Sequence, residues 1–176
     1  MTAAEAPGRP ATGTGHYLRD IVYGALDGVI TTLAVVAGVS GASLSVEVAL
    51  ILGLANLAAD GISMGASNYL GLKSELEQTG QSVAEEEPWR HGMATFAAFV
   101  VAGAVPLASY ALPFDSAGRL AAASLLSAIV LLAVGAARAR FLPRSATRYG
   151  IEMLVIGVIA AAAAFAVGAG VEALVQ

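Results

Sequence analysis

The sequence predicts an all-α membrane protein with five spanning helices, and three observations carry that prediction. Hydrophobic residues make up 57% of the 176-residue chain and charged residues 12%, against about 25% charge in an ordinary soluble domain. Mean hydropathy is +0.76. Apolar runs long enough to cross a hydrocarbon core, which takes ~20 residues, recur along the chain. The length suits a single membrane domain, residues 19–176, with little left for a soluble one. With no cysteine, disulfides and thiolate metal sites are excluded. The expected partners are the lipid bilayer and small ions rather than nucleic acid.

Residues 1–18, rich in Ala, Gly, Pro and Thr at their start, read as a flexible tail. The first apolar segment begins only after Arg19 and runs a full span, so it is expected to be a retained helix and not a cleaved signal. That span covers about residues 20–42, with Asp27 roughly two turns in and Gly24 and Gly28 four apart. Small residues at that spacing let membrane helices approach closely. A second span is expected over 46–72. A polar connection, 74–91, follows as a short acidic loop with Glu75, Glu77, Glu85, Glu86 and Glu87, and Trp89 near its end suits a membrane interface. Such a loop is either solvated surface or a collecting patch for cations. Spans at 92–112, where Pro106 is placed to kink the helix, 119–137 and 149–174 complete the set.

Orientation follows from the basic residues, which cytoplasmic segments retain. With the N-terminus inside, Arg9, Arg19, Lys73, Arg90, Arg138, Arg140, Arg144 and Arg148 are cytoplasmic and only Arg119 lies outside. Five spans then put the C-terminus outside and the five glutamates in the cytoplasm.

The chemistry is concentrated in the first two spans. Asn56, Asp60 and Met64 are four residues apart, so on a helix they form one stripe, each step rising about 6 Å. A carboxylate at membrane depth costs several kcal/mol unless it faces protein or water, which places Asp27 and Asp60 inside the bundle. Asp20 and Glu152, near span ends, read as interfacial. Carboxylate oxygens bind divalent cations generally, and a thioether one turn beyond Asp60 leans toward softer ions such as iron(II) and manganese(II). Protons compete with metal for such carboxylates, which is a basis for exchange. The alternative is packing, in which each Asp accepts hydrogen bonds from Thr31, Thr32, Ser63 or Asn68 and fixes the helices as a scaffold. In a further alternative the carboxylates move protons for another solute.

The segments RDIVYGALDGVITTLAVVAGVSGA and LGLANLAADGISMGASNYLGLKSE resemble the first two spans of the vacuolar iron transporter family, which includes iron/manganese transporters of the yeast calcium cross-complementer and nodulin-21-like types. The likeness is strongest over residues 19–77, in DG followed by TT and AVVAG, then ADGISM with NYL. It implies a transporter rather than an enzyme: a homodimer that exports iron(II) or manganese(II), its substrates and not cofactors, in exchange for protons. By motif position Asp27 is the metal and proton carboxylate of span one and Met64 the thioether ligand of span two. Some relatives have a glutamate where Asn56 stands and a small residue where Asp60 stands, so the second carboxylate here is shifted by one turn along the same stripe. The metal-binding candidates are therefore Asp27, Asp60, Met64 and Asn56, with Asn56 and Asp60 as alternatives for the same contact. The long Glu- and Met-rich insertion that some members carry after span two is too large for the connection here, marking a short form. A bacterial cytoplasmic membrane suits a chain of this kind.

Overall fold

The structure is a computed structural model that describes residues 16–175. Six α-helices follow in order: α1 (Leu18–Gly41), α2 (Val46–Thr79), the single turn α3 (Val83–Glu86), α4 (Pro88–Leu107), α5 (Ser116–Arg138) and α6 (Ala146–Val175), with a 3-10 turn at Ala108–Ala111. No strand occurs among the described residues. Five helical stretches are long and apolar enough to cross a membrane: α1, α2, Val83–Ala111, α5 and α6. Most of the flexible tail expected at 1–18 lies outside the described residues.

Helix α1 is the centre of the bundle, and glycine is what lets its neighbours in. A Cβ on Gly24 would collide with the carbonyl of Thr95, and one on Gly28 with the carbonyl of Phe99. A Cβ on Gly103 would come 2.7 Å from the carbonyl oxygen of Gly28. The α1–α4 seam is therefore backbone against backbone, and the order of these meetings shows the two helices running parallel. On its other side α1 approaches α6 through Gly41 and Gly168 in the same way. Helix α2 runs antiparallel to α4, with Gly65 against Gly92 at one end and Gly53 against Leu107 at the other. Since α1 and α6 run the same way, Leu18 and Val175 lie at opposite ends of the bundle.

Two apolar clusters hold these helices. Leu33, Val36, Leu57, Phe99, Leu107 and Ala123 form the first; Ala25, Val29, Ala102, Leu131 and Met153 form the second. Both draw on α1. Large apolar side chains such as Ile51, Ile62, Val101, Leu125 and Ile159 point outward, as they do where the surroundings are as apolar as the core.

The region 74–91 differs from the loop expected there. Helix α2 continues to Thr79, because nothing between Lys73 and Thr79 breaks a helix and only the hydropathy, not the helical propensity, falls off. Gly80, left-handed at φ 69°, ends it, and Gln81 N–H bonds back to the Leu76 carbonyl. After α3 the chain turns at Glu87, left-handed at φ 48°, and Pro88 opens α4 at its first position. Pro106 sits one residue before the end of α4, which passes into the 3-10 turn.

Candidate functional site

The contact between α1 and α2 is antiparallel, and its register is set where Asn68 meets Asp20: Asn68 Nδ2 donates to Asp20 Oδ1 at 2.8 Å. Seven or eight residues further along each helix, Asp27 and Asp60 fall level with one another, within electrostatic reach. Asp27 lies about 14 Å along α1 from Leu18, and Asp60 about 21 Å from Val46 and about 28 Å from Thr79 along the 34-residue α2. Both carboxylates are half-buried at mid-depth.

Two adjoining stripes of α2 explain how Asp60 gets there. Gly53, Leu57, Gly61 and Gly65 are buried, the three glycines against α4, with Gly61 under Phe96 and Val100. Asn56, Asp60, Met64 and Asn68, one residue round in each case, are half-buried beside that contact. Met64 packs against the apolar cluster around Phe99. Asn56 lies level with Thr31 and Thr32, and its Nδ2 and the Oγ of Thr32 are buried with no hydrogen-bond partner among the described residues. The four residues implied as metal-binding thus share one column between α1 and α2.

The hydrogen bonds that a packing role would need go elsewhere. Thr31 Oγ1 donates to the backbone carbonyl of Asp27 at 2.8 Å and not to its carboxylate. Asn68 is engaged by Asp20 and by Thr95 Oγ1 at 2.7 Å. Ser63 is exposed.

At the end of the bundle where α1 and α4 begin, a second polar group has formed. Asp20, expected at the interface, is instead 2% exposed. Its carboxylate takes Asn68 on one oxygen and His91 Nδ1 at 2.5 Å on the other, with Arg19 Nε at 3.8 Å. Near-complete burial follows from its place on the α1 face that α4 covers, four residues before Gly24. Thr95 Oγ1 donates to the His91 carbonyl, and Arg19 Nη2 to Asn68 Oδ1. Sequence reasoning missed His16 and His91, the chain's two histidines, which stand 75 residues apart and meet only because α1 and α4 start side by side.

The chain matches the VIT family over residues 18–87 and 77–169. The chain belongs to the VIT family. Among proteins similar to it, the vacuolar iron transporter of Toxoplasma gondii is 40% identical over 76 residues, covering 43% of this chain and 25% of that protein. Vacuolar iron transporter 1 of Arabidopsis thaliana is 40% identical over 73 residues, 42% of this chain and 29% of the relative. Vacuolar iron transporter 1 of Eucalyptus grandis is 26% identical over 218 positions, covering 90% of this chain and 88% of its own length. That alignment is longer than this chain, so the relative carries residues absent here. The two matched stretches meet at the α2–α4 connection, where this VIT-family member has its short turn. With five helices able to span a bilayer and membership of a transporter family, it is an integral membrane protein.

Proposed function

We propose that this VIT-family protein carries iron(II) or manganese(II) out of the cytosol in exchange for protons, through the column formed by Asp27, Asp60, Met64 and Asn56. The observation that carries the reading is that Asp27 and Asp60, both half-buried, stand level on the antiparallel α1 and α2, with no hydrogen bond from Thr31, Thr32, Ser63 or Asn68 to either carboxylate. A pair of facing carboxylates in an apolar setting is neutralised by one divalent cation or by two protons. Those two states exclude each other, and an exchanger needs that exclusion. Met64, one turn nearer the α4 start, supplies a thioether that suits softer ions. The unpartnered Asn56 Nδ2 and Thr32 Oγ mark the same column as a place where polar atoms are kept without being spent on packing.

The basic residues favour an orientation with Leu18 on the cytoplasmic side and Val175 outside. We place the protein in a bacterial cytoplasmic membrane as a homodimer, in which a two-fold axis doubles every ligand of a small helix bundle. The half-buried stripe of α2 is the face such a partner would complete.

The test is uptake of a panel of divalent cations into proteoliposomes under an imposed pH gradient. Iron(II) and manganese(II) are expected to move and to collapse the gradient, and Asp27→Asn is expected to stop them. Flux unchanged by Asp27→Asn in a folded protein rejects this mechanism and returns the carboxylates to helix packing.

A further inference from the structure

We infer that His16, Glu86 and His91 form a second site, for a divalent first-row transition-metal ion, at the end of the bundle where α1 and α4 begin. The three ligand atoms already stand close together. His16 Nε2 is 3.0 Å from His91 Nε2 and 3.3 Å from Glu86 Oε1, and His91 Nε2 is 3.9 Å from the same oxygen. Bonds of about 2.0–2.1 Å in a tetrahedral sphere hold neighbouring ligand atoms about 3.3 Å apart. Closing on an ion therefore needs shifts of a few tenths of an ångström.

The ring of His91 is aimed for this task. Asp20 takes its Nδ1–H, which leaves the lone pair of Nε2 directed at His16. A carboxylate behind a ligating imidazole fixes both the tautomer and the ring plane. Asp20 is itself held by Asn68, and Asn68 by Thr95 and Arg19, so the support behind His91 is fully bonded. His16 comes from the residues just before α1, and its ring lies edge-on to Tyr17 and His91. Glu86 is the last residue of α3, and the left-handed turn at Glu87 follows it directly. In the absence of an ion the two facing Nε2 atoms share one hydrogen; on binding, His16 takes the tautomer with hydrogen on Nδ1.

Two imidazoles and one carboxylate leave a fourth position for water, as in sites that exchange their ligands rather than lock a fold. Imidazole also disfavours magnesium and calcium, which take oxygen. Asp27 is seven residues beyond Asp20, about 10 Å further along α1, so this site is separate from the mid-depth column. Metal binding here does not rest on the transport reading.

Cobalt(II), whose visible absorption reports its ligands, is the probe. It is titrated into the purified full chain in detergent, carrying Asp27→Asn and Asp60→Asn so that the mid-depth carboxylates cannot contribute. A single cobalt ion per subunit with nitrogen-ligand bands is expected. Adding His16→Gln should weaken it at least ~10-fold, the lower end of what even outer-shell changes cost, and Glu86→Gln should also weaken it. Both side chains are part-exposed, at 22% and 29%, and helical content by circular dichroism confirms the fold. No cobalt binding in the parent, or identical titrations in both variants, overturns the site. Neither outcome depends on whether Asp27→Asn stops flux.

Discussion

Two carboxylates on α1, Asp20 and Asp27, stand two turns apart and live in opposite circumstances. Asp20 is buried and has every oxygen answered, by Asn68, His91 and Arg19. Asp27 is half-buried and stands level with another carboxylate, Asp60, with no side-chain donor on it among the described residues. A buried charge that is fully bonded contributes order, whereas two like charges set opposite each other are tolerated only when something else neutralises them. The same residue type on the same helix thus serves architecture at one level and, in the function proposed, ion handling at the next.

Substitutions can break that contrast. Asp27→Asn, in proteoliposome assays, is expected to abolish metal-dependent flux while thermal unfolding in detergent stays at or above that of the parent, because a repulsion is removed. Asp20→Ala should do the reverse to stability, lowering it by about 3–5 kcal/mol, since His91 and Asn68 lose their shared acceptor in a buried site. Equal melting losses from the two variants would erase the distinction. Met64→Ala sharpens the view of the column: iron(II) and manganese(II) flux should fall with magnesium flux unaltered, alongside a packing loss of about 1–2 kcal/mol, under the range for fully buried methionines because Met64 is half-buried. Glu75→Gln, on the exposed extension of α2, should leave both flux and melting temperature unchanged. A loss there would revive the idea of a diffuse acidic patch that gathers cations.

Much of this was legible in the sequence, for physical reasons that can be traced. Hydropathy finds spans because lipid imposes length and apolarity on every one of them, and each of the five stretches contains one of the apolar runs. Helix ends were less legible. Hydropathy stops at Leu72, but α2 stops at Gly80, since a polar helix remains a helix until a residue ends it. The alignment of Asn56, Asp60 and Met64 could be read from spacing alone, as it needs only the helical period. The cluster around Asp20 could not, because it depends on which helices start together and how closely glycine lets them pack. A usable signal did exist: the only two histidines both lie at the start of odd-numbered spans, which a serpentine chain returns to the same end.

The glycine seam between α1 and α4 bears on how the column can change over evolutionary time. Along that seam Gly24, Gly28 and Gly103 bring backbone against backbone, so a side chain added at any of them would push α1 away from α4. Across most of the α2–α4 contact, by contrast, Phe96, Val100 and Leu107 lie between the helices, and each can be replaced by something slightly larger or smaller. One jaw of the vice is therefore held more tightly than the other, and the spacing of Asp27 and Asp60 has more room to vary from the α2 side.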